Sequence, residues 1–120
     1  MPTRAARFIR WDDVPQEQVN EMLSRRLVTG EREMVAQITL KKGCVVPEHA
    51  HESEQITYVL KGALQFHIGG QEIVVRDNEI LHIPSQVPHA AFALEETFEL
   101  DVFSPIRQDW LNHTDDYLRR

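Results

Sequence analysis

The chain has 120 residues, of which 42% are hydrophobic and 27% are charged, and its formal net charge is −6 at pH 7. This length is enough for one domain with a buried core and too short for two ordinary domains. The acidic balance argues against a nucleic-acid partner, because phosphate binding needs clustered Lys and Arg. A membrane span is not expected either, since no apolar run approaches about 20 residues.

The N-terminus and the single cysteine indicate the compartment. Residues 1–7 carry charge with no apolar region after them, so we expect a flexible N-terminus and no signal peptide. Cys44 has no partner for an internal disulfide, which fits a reducing cytoplasm. Without a basic neighbour or a helix N-terminus around it, Cys44 is expected to be a small strand residue rather than a nucleophile. We therefore expect a cytoplasmic protein.

The chain then becomes a succession of short strands. Residues 8–11 predict an edge strand, residues 12–15 a turn and residues 16–21 a helical turn. From Met22 onwards, apolar and polar residues alternate between turn residues, which is typical of strands. Eight strands are predicted, at residues 22–28, 34–40, 55–60, 63–68, 71–75, 80–83, 89–94 and 97–103.

The connections between these strands indicate the architecture. Gly69 and Gly70 predict a tight hairpin, and residues 76–79 predict a turn in which Asn78 is left-handed. Residues 106–111 predict a single helical turn. Short, regularly spaced strands with almost no helix predict an all-β sandwich or barrel. We expect one domain at residues 8–112, followed by a polar C-terminal tail at residues 113–120.

Three histidines and one glutamine are spaced as candidate metal ligands. Alternate side chains of an extended segment share a face, so His49 and His51 point the same way, and Gln55 keeps the same parity. His89 follows a proline at the end of a separate strand-like run. Imidazole nitrogens and an amide oxygen suit divalent transition metals, provided that the fold brings the two stretches together. Glu54 is the rival fourth ligand, but it lies on the opposite face of the strand.

The first of these stretches resembles the first motif of the cupin family. It begins at Gly43, with five residues between Gly43 and His49, one between His49 and His51, three between His51 and Gln55, and six between Gln55 and Gly62, where it ends. The family usually has Glu where Gln55 stands.

The second stretch resembles the second cupin motif and begins after an interval of 15 residues. It consists of Asn78, five further residues, Pro84, and then the run Val87-Pro88-His89. Asn78 and Gln86 stand where the family has glycines, and Ala93 stands where it has Asn. The resemblance covers most of the chain and implies a double-stranded β-helix, a small jelly-roll barrel that holds one metal ion. The ligands that it implies are His49, His51, Gln55 and His89.

The implied ligand set is electrically neutral. The site therefore keeps the full charge of a divalent cation, which makes it a stronger Lewis acid and favours an anionic substrate. The sequence does not distinguish Zn, Ni, Fe, Mn, Co and Cu, because their affinities follow the Irving–Williams order and availability decides. His67, His82 and His113 are expected to be structural or surface residues, with His67 a candidate for the barrel wall.

A narrower resemblance points to an activity. The segments that carry it are residues 54–62, residues 100–107, the pair Arg25-Arg26 and Gly30. They resemble the small cupins of pectin and alginate breakdown, which open and ketonise 4,5-unsaturated uronates. The resemblance places Asp101 at the pocket as a proton-transfer group, Arg107 as a clamp for the substrate carboxylate, and Phe103 as an apolar wall. The alternative is a surface ion pair between Asp101 and Arg107, with Phe103 in the core.

Two other functions fit the same ligands. One is a metal-dependent dioxygenase, which ranks second because the facial triad of iron oxygenases needs a carboxylate that Gln55 does not supply. The other is a non-catalytic sugar or metabolite binder. Small cupins are commonly homodimers, and the many strand edges predicted here would benefit from burial.

Overall fold

The computed structural model describes residues 5–119, which contain ten β-strands, a 3-10 helix at Trp11–Asp13 and a short α-helix, α1, at Gln108–Leu111. In chain order the strands are β1 (Glu17–Asn20), β2 (Leu23–Thr29), β3 (Met34–Leu40), β4 (Val45–His49), β5 (Glu54–Lys61), β6 (Ala63–Ile68), β7 (Gln71–Arg76), β8 (Glu79–Ile83), β9 (His89–Ala93) and β10 (Thr97–Ser104).

The strands form two antiparallel sheets that enclose one core. The larger sheet has the order β1-β2-β3-β10-β5-β8, and the smaller sheet has the order β4-β9-β6-β7. Non-consecutive neighbours in both sheets give the crossovers of a jelly roll. The predicted all-β jelly-roll barrel with one C-terminal helical turn is confirmed. No helix within residues 5–119 is long and apolar enough to cross a membrane.

Buried and exposed residues alternate along β3 and β10, and this alternation determines which side chains face the interior of the barrel. Every second residue of β3 from Met34 to Leu40 is buried, as its apolar pattern predicts. In β10 the buried face carries Thr97, Glu99, Asp101 and Phe103. This strand lies between β3 and β5, with Asp101 opposite Thr57 of β5. The register therefore turns two carboxyl groups into the interior.

Tight turns explain several residues of the two motifs. Gly62 has a φ of 120°, and a Cβ there would lie 2.6 Å from the Glu96 carbonyl oxygen, so only glycine fits. Asn78 and Gln86 have φ angles of 63° and 65°. Both hold the left-handed conformation that a turn glycine would adopt, as expected for Asn78.

Three local predictions were wrong or incomplete. Residues 16–21 form no helical turn, because Glu17–Asn20 is a strand held by pairing with β2. Residues 8–10 form no strand, and a 3-10 helix follows them. The strand β4 was not predicted, and Cys44 is buried directly before it rather than within a strand.

Residues near both ends of the chain contact the barrel. The helix α1 lies within the predicted helical turn. Beyond it, Asp115 and Leu118 of the expected polar tail are buried against the barrel. At the other end, Arg7 donates a hydrogen bond to the Thr29 carbonyl oxygen. Residues 1–4 and 120 lie outside the described residues, and so does that part of the expected flexible N-terminus.

Candidate metal centre

Three histidines from separate parts of the chain converge at one end of the smaller sheet. His49 ends β4, His51 lies in the loop after it, and His89 begins β9, directly opposite His49 in the strand register. One ring nitrogen of each histidine lies within 4.8 Å of the others. The fold thus brings together the two stretches that the sequence separates.

Backbone hydrogen bonds fix the protonation of these rings. Each Nδ1 faces a carbonyl oxygen two residues away, at 2.9 Å for His49, 2.8 Å for His51 and 2.8 Å for His89. A carbonyl only accepts, so Nδ1 carries the proton and Nε2 keeps a free lone pair. Burial lowers the pKa of His49 to about 3 and that of His51 to about 4, and it also lowers the pKa of His89. All three rings are therefore neutral at pH 7, the form that binds metals.

Gln55 completes the cluster through its side-chain oxygen. The Oε1 atom of Gln55 lies 3.1 Å from Nε2 of His51, while its Nε2 donates to the Thr57 hydroxyl at 2.9 Å. A neutral His51 ring has one proton for two acceptors, Gln55 Oε1 and the Ser53 carbonyl. With that proton on Nδ1, two lone pairs face each other. A cation between them would remove this conflict.

The donor set fits a divalent transition metal. The buried Nε2 atom of His89 has no hydrogen-bond partner within residues 5–119, which is unusual for a buried polar atom and is what a ligand position for a cation would show. Three imidazoles and one amide oxygen are donors that such metals accept. The rival ligand Glu54 points outward instead, and its carboxylate lies 2.6 Å from Nε2 of exposed His82.

The other histidines lie on the surface. His67 is exposed beside Glu72 and does not line the barrel. His113 is exposed, and its ring lies 3.0 Å from the Glu17 carboxylate. These positions agree with the expectation of surface residues.

The cluster opens into one small cavity of about 40 Å³. Its walls include the three residues to which the sequence assigned chemistry, Asp101, Phe103 and Arg107. Asp101 and Arg107 are only 5% and 3% exposed, so the alternative of a surface ion pair between them is wrong. The candidate ligands on the wall are His49, Gln55 and His89.

A pair of buried carboxyl groups faces this cavity. Thr57 donates a hydrogen bond to Asp101 at 2.6 Å, and Glu99 is hydrogen-bonded to Asp101 as well. Burial raises the pKa of Asp101 to about 6, and burial with the nearby Asp101 charge raises that of Glu99 well above its usual range. Glu99 is therefore the member of the pair that keeps its proton to higher pH, and as the acid it donates to Asp101. One oxygen of Glu99, Oε2, has no partner within the described residues.

Glu99 is not among the site residues predicted from the sequence. The signal was available, because Glu99 shares the buried face of β10 with Asp101 and Phe103. Two carboxylates at positions i and i+2 of a core strand are costly unless a site needs them.

Arg107 is held by the segment that follows it. Its guanidinium makes two hydrogen bonds to the Asp109 carboxylate, at 3.0 and 2.8 Å, and one to the Tyr117 hydroxyl at 2.8 Å. Its charge also lies over the rings of Phe103 and Trp110, at 5.1 and 4.9 Å from their centroids. The Tyr117 and Trp110 contributions were not predicted, because both residues lie in the stretch expected to be a turn and a tail.

The sequence places this barrel in a known family. The cupin domain family model matches residues 36–104, more than half of the chain and the part that carries all four candidate ligands. The protein belongs to the cupin family.

Particular relatives narrow the comparison. The pectin degradation protein KdgF of Dickeya dadantii (strain 3937) is 27% identical over 108 residues, which cover 88% of this chain and 98% of that protein. The structure of KdgF from Halomonas sp. is 28% identical, with a TM-score of 0.80 over 87% of this chain and 99% of that one. A RmlC-like cupin from Shewanella frigidimarina NCIMB 400 is 25% identical, with a TM-score of 0.82 over 88% of this chain and 96% of that one.

The metal centre predicts which histidine substitution removes the metal. His51→Ala is expected to lose stoichiometric zinc, because it deletes one ligand and leaves Gln55 Oε1 without its neighbour. His82→Ala, on the outer surface, is the matched control and is expected to keep one equivalent. Both proteins would be loaded with zinc, desalted and measured by inductively coupled plasma mass spectrometry. A full equivalent in His51→Ala would refute the ligand set.

The carboxyl pair predicts how stability depends on pH. The raised pKa of Glu99 means that its contribution to stability is present below its unfolded value and is lost as pH rises through the folded value. In metal-free protein, the change in unfolding free energy from pH 5 to pH 8 is expected to be more positive in Glu99→Gln than in the parent, because the variant lacks the contribution that declines as pH rises. The difference is about 1.4 kcal/mol for each unit by which the pKa is raised within that range.

Urea unfolding of chelator-treated protein at the two pH values would measure this difference. The three buried histidines contribute with the opposite sign, and they do so in parent and variant alike. Asp101 also titrates in this range and its pKa depends on Glu99, so the difference between the two proteins reports on the carboxyl pair. Glu96→Gln replaces an exposed glutamate three residues before Glu99, and it is expected to follow the parent. An equal change in parent and Glu99→Gln would contradict the raised pKa of the pair.

Proposed function

We propose that the protein is a metal-dependent isomerase that opens and ketonises unsaturated uronates released from pectin or alginate. The observation that carries this proposal is the single cavity shared by the histidine cluster, a buried carboxyl pair and a buried arginine. Support also comes from two relatives, a pectin degradation protein KdgF at 27% identity and a KdgF structure at 28% identity.

The cavity has the chemistry to hold a sugar acid. Arg107 presents a planar guanidinium that can bind a carboxylate in bidentate fashion, as it does here with Asp109. Phe103 offers an apolar face beside it. His49, His51, Gln55 and His89 would hold the metal. With these neutral ligands, a bound divalent metal keeps its charge and supplies Lewis-acid stabilisation to the substrate oxygens.

The proposed reaction is a proton transfer with ring opening. The cyclic substrate loses the proton of its hydroxyl at carbon 1, and the bond between carbon 1 and the ring oxygen breaks. Carbon 1 becomes an aldehyde, and the ring oxygen becomes an enol oxygen on carbon 5. Transfer of a proton to carbon 4 then gives a ketone at carbon 5, so substrate and product are isomers.

Asp101 is the group that we assign to these transfers. Its pKa of about 6 lies near neutral pH, where a carboxyl group can both accept and return a proton. Glu99 donates a hydrogen bond to Asp101 and stabilises its charged form. Thr57, on the other side, holds the Asp101 carboxyl group in place.

The loss of ultraviolet absorbance of an unsaturated uronate tests this function. Asp101→Ala is expected to lower kcat by about 10²–10⁴-fold, because it removes the proton-transfer group. Arg107→Ala is expected chiefly to raise KM for the anionic substrate. Asp116→Asn, an exposed carboxylate in the C-terminal segment, is the control and should match the parent.

Parent rates in both Asp101→Ala and Arg107→Ala, or no activity in the parent, would overturn the proposal. Oxygen uptake, measured on the same samples, separates isomerisation from the dioxygenase reading. An iron-loaded protein that consumes oxygen with the substrate would favour the dioxygenase.

We also propose that two chains pair through the outer face of the larger sheet. Four aliphatic residues form one row across its four central strands, and a second row of two aliphatic residues and one tyrosine lies beside it. The first row is Val28, Val35, Val102 and Ile56, and the second is Leu100, Tyr58 and Ile80. Apolar rows of this kind on a monomer surface are typical of protein interfaces.

Sedimentation velocity tests the proposed homodimer. The parent is expected to sediment as two chains of 14.0 kDa each, and Val102→Lys is expected to sediment as one chain. Val74→Lys on the smaller sheet is the matched control, because Val74 and Val102 are both 38% exposed. A monomeric parent, or a dimer unaffected by Val102→Lys, would exclude this interface.

A further inference from the structure

The last part of the chain covers the candidate metal centre. Residues 108–119, which we call the cap, consist of α1 and the turns after it. The ring of Tyr117 stacks on His49 with 4.2 Å between ring centroids and 20° between ring planes. Trp110 and Leu118 are buried and line the same cavity as His49 and His89. The cap therefore forms one wall of the site.

Side chains rather than strand pairing attach the cap to the barrel. Arg25 of β2 makes a fully buried ion pair with Asp115 at 2.7 Å, and its guanidinium lies 4.4 Å from the Trp110 ring centroid. The side-chain amide of Asn20 donates to the Leu118 carbonyl at 2.8 Å. Segments held in this way open at lower free energy than strands bonded on both sides.

The cavity is too small for a substrate as it stands. A volume of about 40 Å³ holds a few water molecules, each needing about 10–15 Å³, whereas ligand pockets usually measure about 300–1,000 Å³. Apart from Arg107, the other walls are strands of the two sheets, so movement within the cap is what makes room.

The cap also occupies groups that a sugar acid would use. The Asp109 carboxylate takes two hydrogen bonds from Arg107, which is how a substrate carboxylate would bind. The Tyr117 hydroxyl takes a third, and its flat ring covers His49. One residue thus imitates the carboxylate of a substrate and another imitates its ring.

We propose that the cap is the specificity element of the site, which rests on the proposed function. Tyr117 swings out to admit a small sugar acid while Trp110 and Asp115 stay in place. The carboxylate of the sugar acid displaces Asp109 from Arg107, and its ring takes the place of Tyr117. Closure over the bound molecule accepts a free uronate and rejects one that is still attached to a polymer. Asp109 and Tyr117 are positioning residues, because they act through Arg107 and His49.

Metal exchange tests the movement without any substrate. Zinc-loaded protein would be mixed with a chromogenic chelator, and zinc uptake by metal-free protein would be followed in parallel. Tyr117→Ala is expected to speed both release and uptake about tenfold and to leave the zinc affinity unchanged, because a gate alters both rates equally. Tyr117→Phe keeps the stacking and loses the two hydrogen bonds of the hydroxyl. Its rates of zinc release and uptake are expected to lie between those of the parent and Tyr117→Ala. Asp116→Asn, in the same segment, should match the parent.

Faster zinc release without faster uptake would mean that Tyr117 only strengthens His49 as a ligand. This result would contradict the proposal that the cap controls access to the site. Unchanged rates in both folded Tyr117 variants would overturn it as well.

Binding of galacturonate tests the displacement of Asp109. In a Trp11→Phe background, Trp110 is the single tryptophan and reports on the cap by its fluorescence. Asp109→Asn is expected to bind galacturonate about tenfold more tightly, because one charge-assisted competitor for Arg107 is removed. Neutral galactose should bind no better in the variant. Weaker or equal galacturonate binding in Asp109→Asn would overturn the proposal.

The two proposals fail in different ways. If the parent does not convert unsaturated uronates while Tyr117→Ala speeds zinc uptake and release and Asp109→Asn binds galacturonate more tightly, the proposed function falls and the cap stands. If the parent converts them and neither substitution has its expected effect, the cap falls and the proposed function stands.

Discussion

The site depends on the hydrogen-bond chain that runs from Gln55 through Thr57 to Asp101. Because the Gln55 amide donates to Thr57 at 2.9 Å, its oxygen is turned towards the histidines. The Thr57 hydroxyl in turn donates to Asp101 at 2.6 Å and fixes that carboxyl group. One chain of two bonds therefore orients a candidate ligand and the proposed proton-transfer group together. A glutamate at position 55, as cupins usually have, would add a third carboxylate to the buried pair and could not donate to Thr57 unless protonated.

The electrostatics of the cavity follow from this exchange of Glu for Gln. The rings of His49, His51 and His89 are neutral, and Arg107 is a buried cation that itself lowers their pKa values. The carboxyl pair counters part of this positive charge through Asp101, because the raised pKa of Glu99 favours its neutral form. A site with neutral imidazoles beside a buried guanidinium and a carboxyl pair attracts a metal cation and an anion to neighbouring positions.

Much of this arrangement follows from a period of two in the sequence, and the rest depends on distant contacts. Parity grouped His49, His51 and Gln55 and set Glu54 apart. The three residues lie in β4, in the loop after it and in β5, so the turn between two strands, and not one continuous strand, brings them together. The same alternation places Glu99 on the buried face of β10 with Asp101 and Phe103. It was overlooked because an acidic residue in a strand is usually at the surface. The strand β1 was not predictable locally, since three of its four residues are polar and it is held by β2 and by the C-terminal segment. Tyr117 is brought to the site by contacts between distant residues, among them the pair of Arg25 and Asp115 across 90 residues.

The energetics of the cap limit how far it can move. Trp110 and Leu118 belong to the hydrophobic core, and exposing two such side chains costs about 1.5–3 kcal/mol each. Separating the buried pair of Arg25 and Asp115 would add to this cost, because Arg25 would lose a hydrogen-bonded partner at 2.7 Å. Complete release of the cap would thus use much of the stability of a small domain. Tyr117 is less buried than its two apolar neighbours and is tied by hydrogen bonds that a substrate could replace. The movement that admits a substrate is therefore a local one, in which Tyr117 swings out while Trp110 and Asp115 stay in place.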